Sequence, residues 1–275
     1  HQWISESIQS VLGQSFDNWE LIIVNDGSTD NSVEIIQTYL NDKRIKLLHQ
    51  KNLGPANARN YGISKCNGEF IAFLDSDDIW LHEKLQIQLQ FFESNPHIGL
   101  VYSNYNLFYD NPKLTLPLRQ SNWFHTWPDN HRLLVYDFIG ILTVVVRSSI
   151  IKKLGGFNEN LFGTEDWDLW IKVAQFYKIS KIEKVTASYR VHPDGLSQTA
   201  HNHFNQLKKV YDLHVFKKNV PKHIQCGAKA VFNFRLAKYN LFSNYSLIFI
   251  KFYFRATIFY FRAKINYLFK KNNEN

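Results

Sequence analysis

Methionine is missing altogether from the 275 residues, and cysteine occurs only at Cys66 and Cys226. Two thiols so far apart, neither with a partner at metal-ligand spacing, exclude a disulfide framework and a cysteine-held zinc site. They read as buried thiols of a protein from a reducing compartment. Seven prolines and twelve glycines are too few for a collagenous or low-complexity chain. With His1 first and no initiator, the chain is expected to lack an N-terminal piece, and a signal or anchor in that piece stays open. What is present is 45% hydrophobic, 16% aromatic and 20% charged residues, enough for one sizeable core or two unequal domains.

Acidic residues are also scarce in one place. Residues 1–198 carry 18 Lys+Arg and 22 Asp+Glu, a net −4, whereas residues 199–275 carry 14 against only Asp212 and Glu274, a net +12. The overall +8 is therefore a property of the last 77 residues. A uniformly basic nucleic-acid binder is disfavoured, and no nucleic-acid partner is expected.

Along the chain, Ile4, Ile8, Val11 and Leu12 follow the spacing of an amphipathic helix that Gly13 stops. Glu20 to Val24 is a strand-length apolar run ending in Asn25-Asp26-Gly27-Ser28-Thr29-Asp30, a turn with N-caps for a helix through Leu40. A second strand is expected at Ile45–His49, a helix from about Ala56 to Ser64, and a third strand at Glu69–Leu74 running into Asp75-Ser76-Asp77-Asp78. Leu81, Leu85, Leu89 and Phe92 mark the next helix. Further strands are expected at Ile98–Tyr102, Phe138–Val146 and Ile179–Val191, and helices at Ser148–Leu154 and Glu165–Phe176. Residues 106–131 form a loop long enough to act as a lid or substrate-selecting wall. This alternation predicts parallel strands with helices on both faces, and ligands of such sheets bind beyond the carboxyl ends of strands. Both acidic turns lie at such ends.

Asp75-x-Asp77 directly after a buried strand can turn two carboxylates toward one point. Hard oxygen ligands of this kind suit Mg²⁺ or Mn²⁺ held jointly with phosphates; equally, the pattern is an acidic turn capping the following helix. Asp26 reads either as an acceptor for a base or ribose or as an Asx-turn residue. Thr164-Glu165-Asp166 opens a helix, where acids simply favour the dipole; the same dipole would keep Asp166 ionised, as a general base must be. His192 is a candidate metal or diphosphate ligand, or a solvated loop histidine.

Taken together, Glu20-Leu-Ile-Ile-Val-Asn-Asp26-Gly-Ser-Thr-Asp30, Asn52-Leu-Gly54-Pro55-Ala-Asn-Ala-Arg59-Asn60, Phe73-Leu-Asp75-Ser-Asp77-Asp78, Gly156-Phe157 with Glu165-Asp166-Trp-Asp-Leu-Trp170, and Tyr189-Arg190-x-His192 resemble the inverting family-2 glycosyltransferases of the GT-A fold. The resemblance runs from Trp3 to Gln198 and leaves the basic tail uncovered. It implies an α/β fold with a mixed, mostly parallel sheet flanked by helices, whose first strand is missing, over residues 1–198; residues 199–275, by their own basic and aromatic pattern, are expected to form a helical extension. It implies that Asp26 binds the nucleobase of a sugar nucleotide, usually a UDP-sugar, with Arg59 near it. Asp75 would meet the ribose, Asp77 the Mn²⁺ or Mg²⁺ bridging the phosphates, Asp166 would be the catalytic base, and His192 a late metal or diphosphate contact. Glu165, Trp167 and Trp170 are expected on the acceptor side, although at helical spacing one tryptophan is as well placed in the core. Family members begin with a strand and turn beside the nucleotide, so the chain is expected to be poorly active and less stable than a form with that strand.

The implied reaction is a single inverting displacement onto a hydroxyl of a glycan or lipid-linked acceptor, in surface polysaccharide synthesis at the inner face of the cell membrane. A nucleotidyltransferase shares a related sheet and carboxylate pair, but the Glu165–Trp170 block argues against it. A catalytically silent, membrane-associated remnant is the non-enzyme alternative. No Walker A pattern is present. The tail has no membrane span, because its longest uncharged apolar-rich stretch, Tyr239–Ile250, is far short of the ~20 residues a helix needs to cross. If helical, it brings Lys251, Arg255 and Arg262 within about 40° of each other, with aromatics on other faces. That fits a peripheral membrane contact through residues 232–271, or a helical extension packed on the catalytic domain or on another subunit.

Overall fold

The computed structural model describes residues 2–109, 116–117, 127–193, 195, 200–242 and 246–273. In chain order the elements begin with α1 (Ile4–Leu12), β1 (Leu21–Asp26), α2 (Ser32–Gln37), β2 (Ile45–Gln50), α3 (Pro55–Lys65), β3 (Phe70–Ala72), β4 (Ile79–Trp80), α4 (Lys84–Ser94), β5 (Ile98–Phe108) and β6 (Leu116–Pro117). Then follow α5 (Asp129–Leu133), β7 (Val145–Arg147), α6 (Ser148–Leu154), α7 (Glu165–Phe176), β8 (Lys178–Arg190), α8 (Ala200–His214), α9 (Lys222–Phe242) and α10 (Ser246–Asn273). The chain divides into two compact units, one of His1–Ser121 and Ile139–Gly195, the other of Asn122–Phe138 and Leu196–Asn275.

Within the first unit the sheet is mixed and comes in two pieces. β1 and β2 pair in parallel, from Leu21 opposite Ile45 to Asp26 opposite Gln50. The larger piece has the order β3-β7-β5-β8-β4, with β6 on β5. β5 and β8 run parallel, and the remaining pairs are antiparallel. β5 is the central strand, with Ile98 to Ser103 all buried. Its buried Ser103 hydroxyl meets Thr186 Oγ1 of β8 at 2.6 Å, so neither is left unsatisfied. α1 turns Ile8 and Val11 inward, where Ile8 packs with Ile36 and Ile45, and Val11 with Trp80 and Leu85.

Two expected elements are corrected. The strand expected over Phe138–Val146 is a 3₁₀ turn, Ile141–Thr143, followed by the short β7. Thr143 explains this, since its Oγ1 and N–H both donate to Gly140 O and close the turn. The helix expected from Leu81 starts at Lys84, because Ile79 and Trp80 are drawn into pairing with Ser188 and Ala187. Of the 106–131 loop, residues 110–115 and 118–126 lie outside the described residues; Asn106 and Leu107 pair with Pro117 and Leu116.

In the second unit, residues 127–138 join the C-terminal helices, whereas the expected division is a single cut after residue 198. Tyr211 Oη donates to Val135 O at 2.7 Å, and the Trp127 ring lies 5.0 Å from His223 and 5.2 Å from Tyr267. α9 and α10 pack along each other. α9 buries Ala230 and Ala237, and α10 buries Ala256 and Ala263. Small residues seven apart on each helix let two backbones approach closely. Among the described residues no helix is long and apolar enough to cross a membrane.

Candidate active site

β1 ends at Asp26 and β3 leads into Asp75, and both residues line one cavity of about 1620 Å³ together with Arg59 of α3. The same cavity is lined by Ile22 and Val24 of β1 and Ile71 and Ala72 of β3, strands that belong to separate sheets. It therefore has an apolar floor between two sheet edges and a polar end at the strand termini.

Asp26 organises the loop after β2. Its Oδ1 accepts from Gln50 Nε2 and Leu53 N, and its Oδ2 from Gly54 N, each at 2.8 Å. Gly54, at φ 91°, then hands the chain to Pro55 at the first turn of α3. Gly27, at φ 77°, lies so close to Asn52 N that a Cβ would stand 2.9 Å away. A side chain there would be strained by backbone and by contact alike.

α3 then presents two adjacent side chains with different tasks. Arg59 Nη2 donates to Asp75 Oδ1 at 2.7 Å and Nη1 to Glu165 Oε1 at 2.6 Å, bridging the end of β3 to the first turn of α7. Its side chain is only 16% exposed and Glu165 4%, whereas Asp75 is 38% exposed. Burial opposes the guanidinium charge, but the carboxylates of Asp75 and Glu165, with Asp166 nearby, outweigh it and raise the Arg59 pKa further. Asn60 holds the turn before α7: its amide accepts from Phe157 N at 2.8 Å and donates to Phe157 O at 2.9 Å. Gly156, at φ 76°, is required there, since a Cβ would collide with Asn60 Oδ1.

Asp77 Oδ2 and His192 Nε2 are 2.9 Å apart, which joins the acidic turn to the end of β8. The His192 ring lies tilted against Trp3 with centroids 4.1 Å apart, and its Nδ1 is buried without a hydrogen-bond partner. Behind this pair a second arginine works from the opposite side. Arg190 N donates to Asp78 Oδ1, Nε to Asp77 O, and Nη2 to Glu6 Oε2, at 2.9, 2.8 and 2.6 Å. Asp78 is 1% exposed; burial, then the charges of Asp75 and Asp77, push its carboxyl well above the usual range. At the start of α7, Trp167 N donates to Asp166 Oδ1 at 2.8 Å.

The sequence motifs that were expected to converge do so in one unit, around the carboxyl ends of β1 and β3 and the start of α7. The acceptor-side expectation is corrected for Trp167 and Trp170, which are 1% and 0% exposed. Trp170 packs between Phe73 and Phe157, with centroids 6.1 and 6.2 Å away, as part of the core under the acidic turn. Glu165 is likewise turned inward to Arg59. Asn60, Asp78, Arg190 and Glu6 carry no expected role in the sequence; an Arg-Asn pair in the first two turns of α3 is the one local sign of the first.

Among the described residues no three His, Cys, Asp or Glu groups form a ready metal cluster. Asp77 and His192 nevertheless supply an oxygen and a nitrogen at one point. That is a partial donor set of the kind Mn²⁺ or Mg²⁺ completes with phosphate oxygens and water.

A mixed α/β sheet with helices on its faces and acidic turns gathered at strand ends defines a glycosyltransferase domain of the GT-A type. The model of the Glycosyl transferase family 2 matches residues 1–153, and the chain belongs to that family. It is 35% identical over 216 residues, 76% of this chain and 79% of the relative, to UDP-Glc:alpha-D-GlcNAc-diphosphoundecaprenol beta-1,3-glucosyltransferase WfgD of Escherichia coli. An uncharacterized glycosyltransferase of Rickettsia bellii is 34% identical over 209 residues, 74% of this chain, which spans only 29% of that protein. Among solved structures, S. aureus TarS 1–349 in complex with UDP is similar with a TM-score of 0.61 at 21% identity, over 88% of this chain and 69% of that one. Mannosyltransferase PcManGT from Pyrobaculum calidifontis, in complex with GDP-Man and Mn2+, reaches 0.66 at 14% identity, over 98% of this chain and 84% of that one. At these identities the structural likeness speaks for the fold.

Proposed function

We propose that the protein transfers a hexosyl group, with inversion, from a nucleoside-diphosphate sugar to a hydroxyl of a lipid-linked glycan, in surface polysaccharide synthesis at the inner face of the cell membrane. The Arg59 bridge carries this reading: a buried cation ties Asp75, at the donor end of the sheet, to the helix turn that bears Asp166. UDP is the favoured nucleotide, since WfgD is named for a UDP-Glc donor and a diphosphoundecaprenol acceptor.

In this reading Asp26 and the Leu53–Gly54 amides form the wall against the nucleobase, and Asp75 takes the ribose while keeping one oxygen on Arg59. Asp77 and His192 would hold a divalent cation. When bound, it offsets charge on the departing diphosphate. Asp166 accepts the proton of the acceptor hydroxyl as that oxygen attacks the anomeric carbon, and the bond to the nucleoside diphosphate breaks in the same in-line step. Arg59 places Asp166 by fixing Glu165 next to it, and Asn60 fixes the turn that leads into α7.

The test is nucleoside-diphosphate release from a panel of sugar nucleotides with Mn²⁺ and a lipid-linked acceptor. Acceptor-dependent diphosphate release supports the reading. Pyrophosphate release would instead indicate nucleotidyl transfer, and binding without turnover a non-catalytic module.

A further inference from the structure

The second unit carries a surface that sugar transfer does not use. On α10, Phe254, Ile258, Phe261 and Ile265 are 64%, 50%, 58% and 50% exposed. Their spacing of four, three and four residues confines them to about 60° of the helix circumference. The other side of the same helix buries Ala256 and Ala263. Arg255 and Arg262, both exposed, flank the apolar stripe on one side, and exposed Lys264 flanks it on the other. A cleft of about 400 Å³, lined by Asn233, Arg255, Ile258, Phe259 and Arg262, opens on the arginine flank. Neither α9 nor α10 contains an acidic residue.

We propose that this face of α10 lies in the plane of an anionic phospholipid surface. Phe254, Ile258, Phe261 and Ile265 enter the headgroup boundary, and Arg255 and Arg262 take lipid phosphates, one of them in the cleft beside Asn233. The charge pattern selects this occupant. An apolar stripe bordered by cations on both sides matches a boundary that is apolar below and negative above. A second copy of the same helix would bring these cations together with no acid on either helix to pair them. The inference stands on the second unit alone, so its failure would leave the sugar-transfer reading untouched.

Co-sedimentation of the full chain with phosphatidylcholine vesicles, with and without about one-third phosphatidylglycerol, tests it. Binding is expected only with the anionic lipid, weakening as salt is raised. Arg255→Gln with Arg262→Gln should lower vesicle affinity roughly thirtyfold. Ile258→Ser with Phe261→Ser should abolish it at any salt. Unchanged helical circular dichroism and unchanged diphosphate release would show that each variant is folded. Vesicle binding equal to the parent in either double variant overturns the proposal. So does a parent dimer that the Ile258/Phe261 variant converts to a monomer with vesicle binding intact, which would make the stripe an interface between copies.

Discussion

The two units solve the problem of a stable interior in opposite ways. The first buries ionisable groups: Arg59 holds Glu165, and Arg190 gives its backbone N–H to the buried Asp78 and its guanidinium to Glu6. The second encloses an apolar interior of Leu207, Val210, Tyr211 and Val231, packs alanines along a helix pair, and keeps Phe254, Ile258, Phe261 and Ile265 of α10 outside. Buried ion pairs are a poor route to stability, since desolvation offsets much of the attraction. Their presence around the strand ends of the first unit marks where geometry matters more than packing. The first unit is shaped around a site, the second around a surface.

The largest effect should fall on chemistry. Asp166→Asn is expected to lower transfer about 10²- to 10⁴-fold while leaving donor affinity and thermal melting near the parent values, read by single-turnover assay and calorimetry. Near-normal turnover would remove Asp166 from the base role. Next, Arg59→Leu should destabilise the first unit by about 3–5 kcal/mol in urea unfolding, because Glu165 is left charged and buried. If it merely lowers donor affinity with no loss of stability, the bridge is a ligand contact and not a support. In the second unit, Ala263→Leu overfills the helix seam and should cost about 1–3 kcal/mol, with donor affinity unchanged. A matching loss of donor affinity would break the contrast between the units.

The last effect is a matter of pH. Lys84 is fully buried, hydrogen-bonds Gln88, and lies 5.1 Å over the Trp80 ring. Burial pushes its pKa down to about 7, against about 10.4 in an unfolded chain. Between these values the unfolded chain binds the proton and the native one does not. Stability should therefore rise from pH 7 toward 10 and be flat in this respect below 7. Lys84→Met should erase that slope in denaturation followed across the window. A slope unchanged in the variant would assign it to other groups.

Much of this was legible in the sequence wherever a local rule suffices. α1 follows from apolar spacing stopped by Gly13, α6 from the Gly155-Gly156 pair that closes it, α7 from its acidic first turn, and the strand ends bearing Asp26 and Asp75 from apolar runs that stop in acidic turns. The illegible part depends on distant partners. Phe138–Val146 reads as a strand by composition and is largely a turn, since pairing is decided by what lies beside it. Trp167 and Trp170 read as ambiguous between wall and core because helical spacing says which residues share a face, not what the face meets. The roles of Asn60 and Arg190 rest on contacts with Phe157 and Asp78, about a hundred positions away, which no local pattern encodes.

The division of the sheet also has a thermodynamic consequence. β1 and β2 pair only with each other among the described residues, and they lean on α1 and α3 without a ladder to β3. A layer held in this way has its own opening equilibrium below the global one, and it carries Asp26. In the proposed function, where Asp26 meets the nucleobase, nucleotide capture includes closing the layer, and calorimetric titration should show a heat-capacity change more negative than the ligand's own apolar burial accounts for.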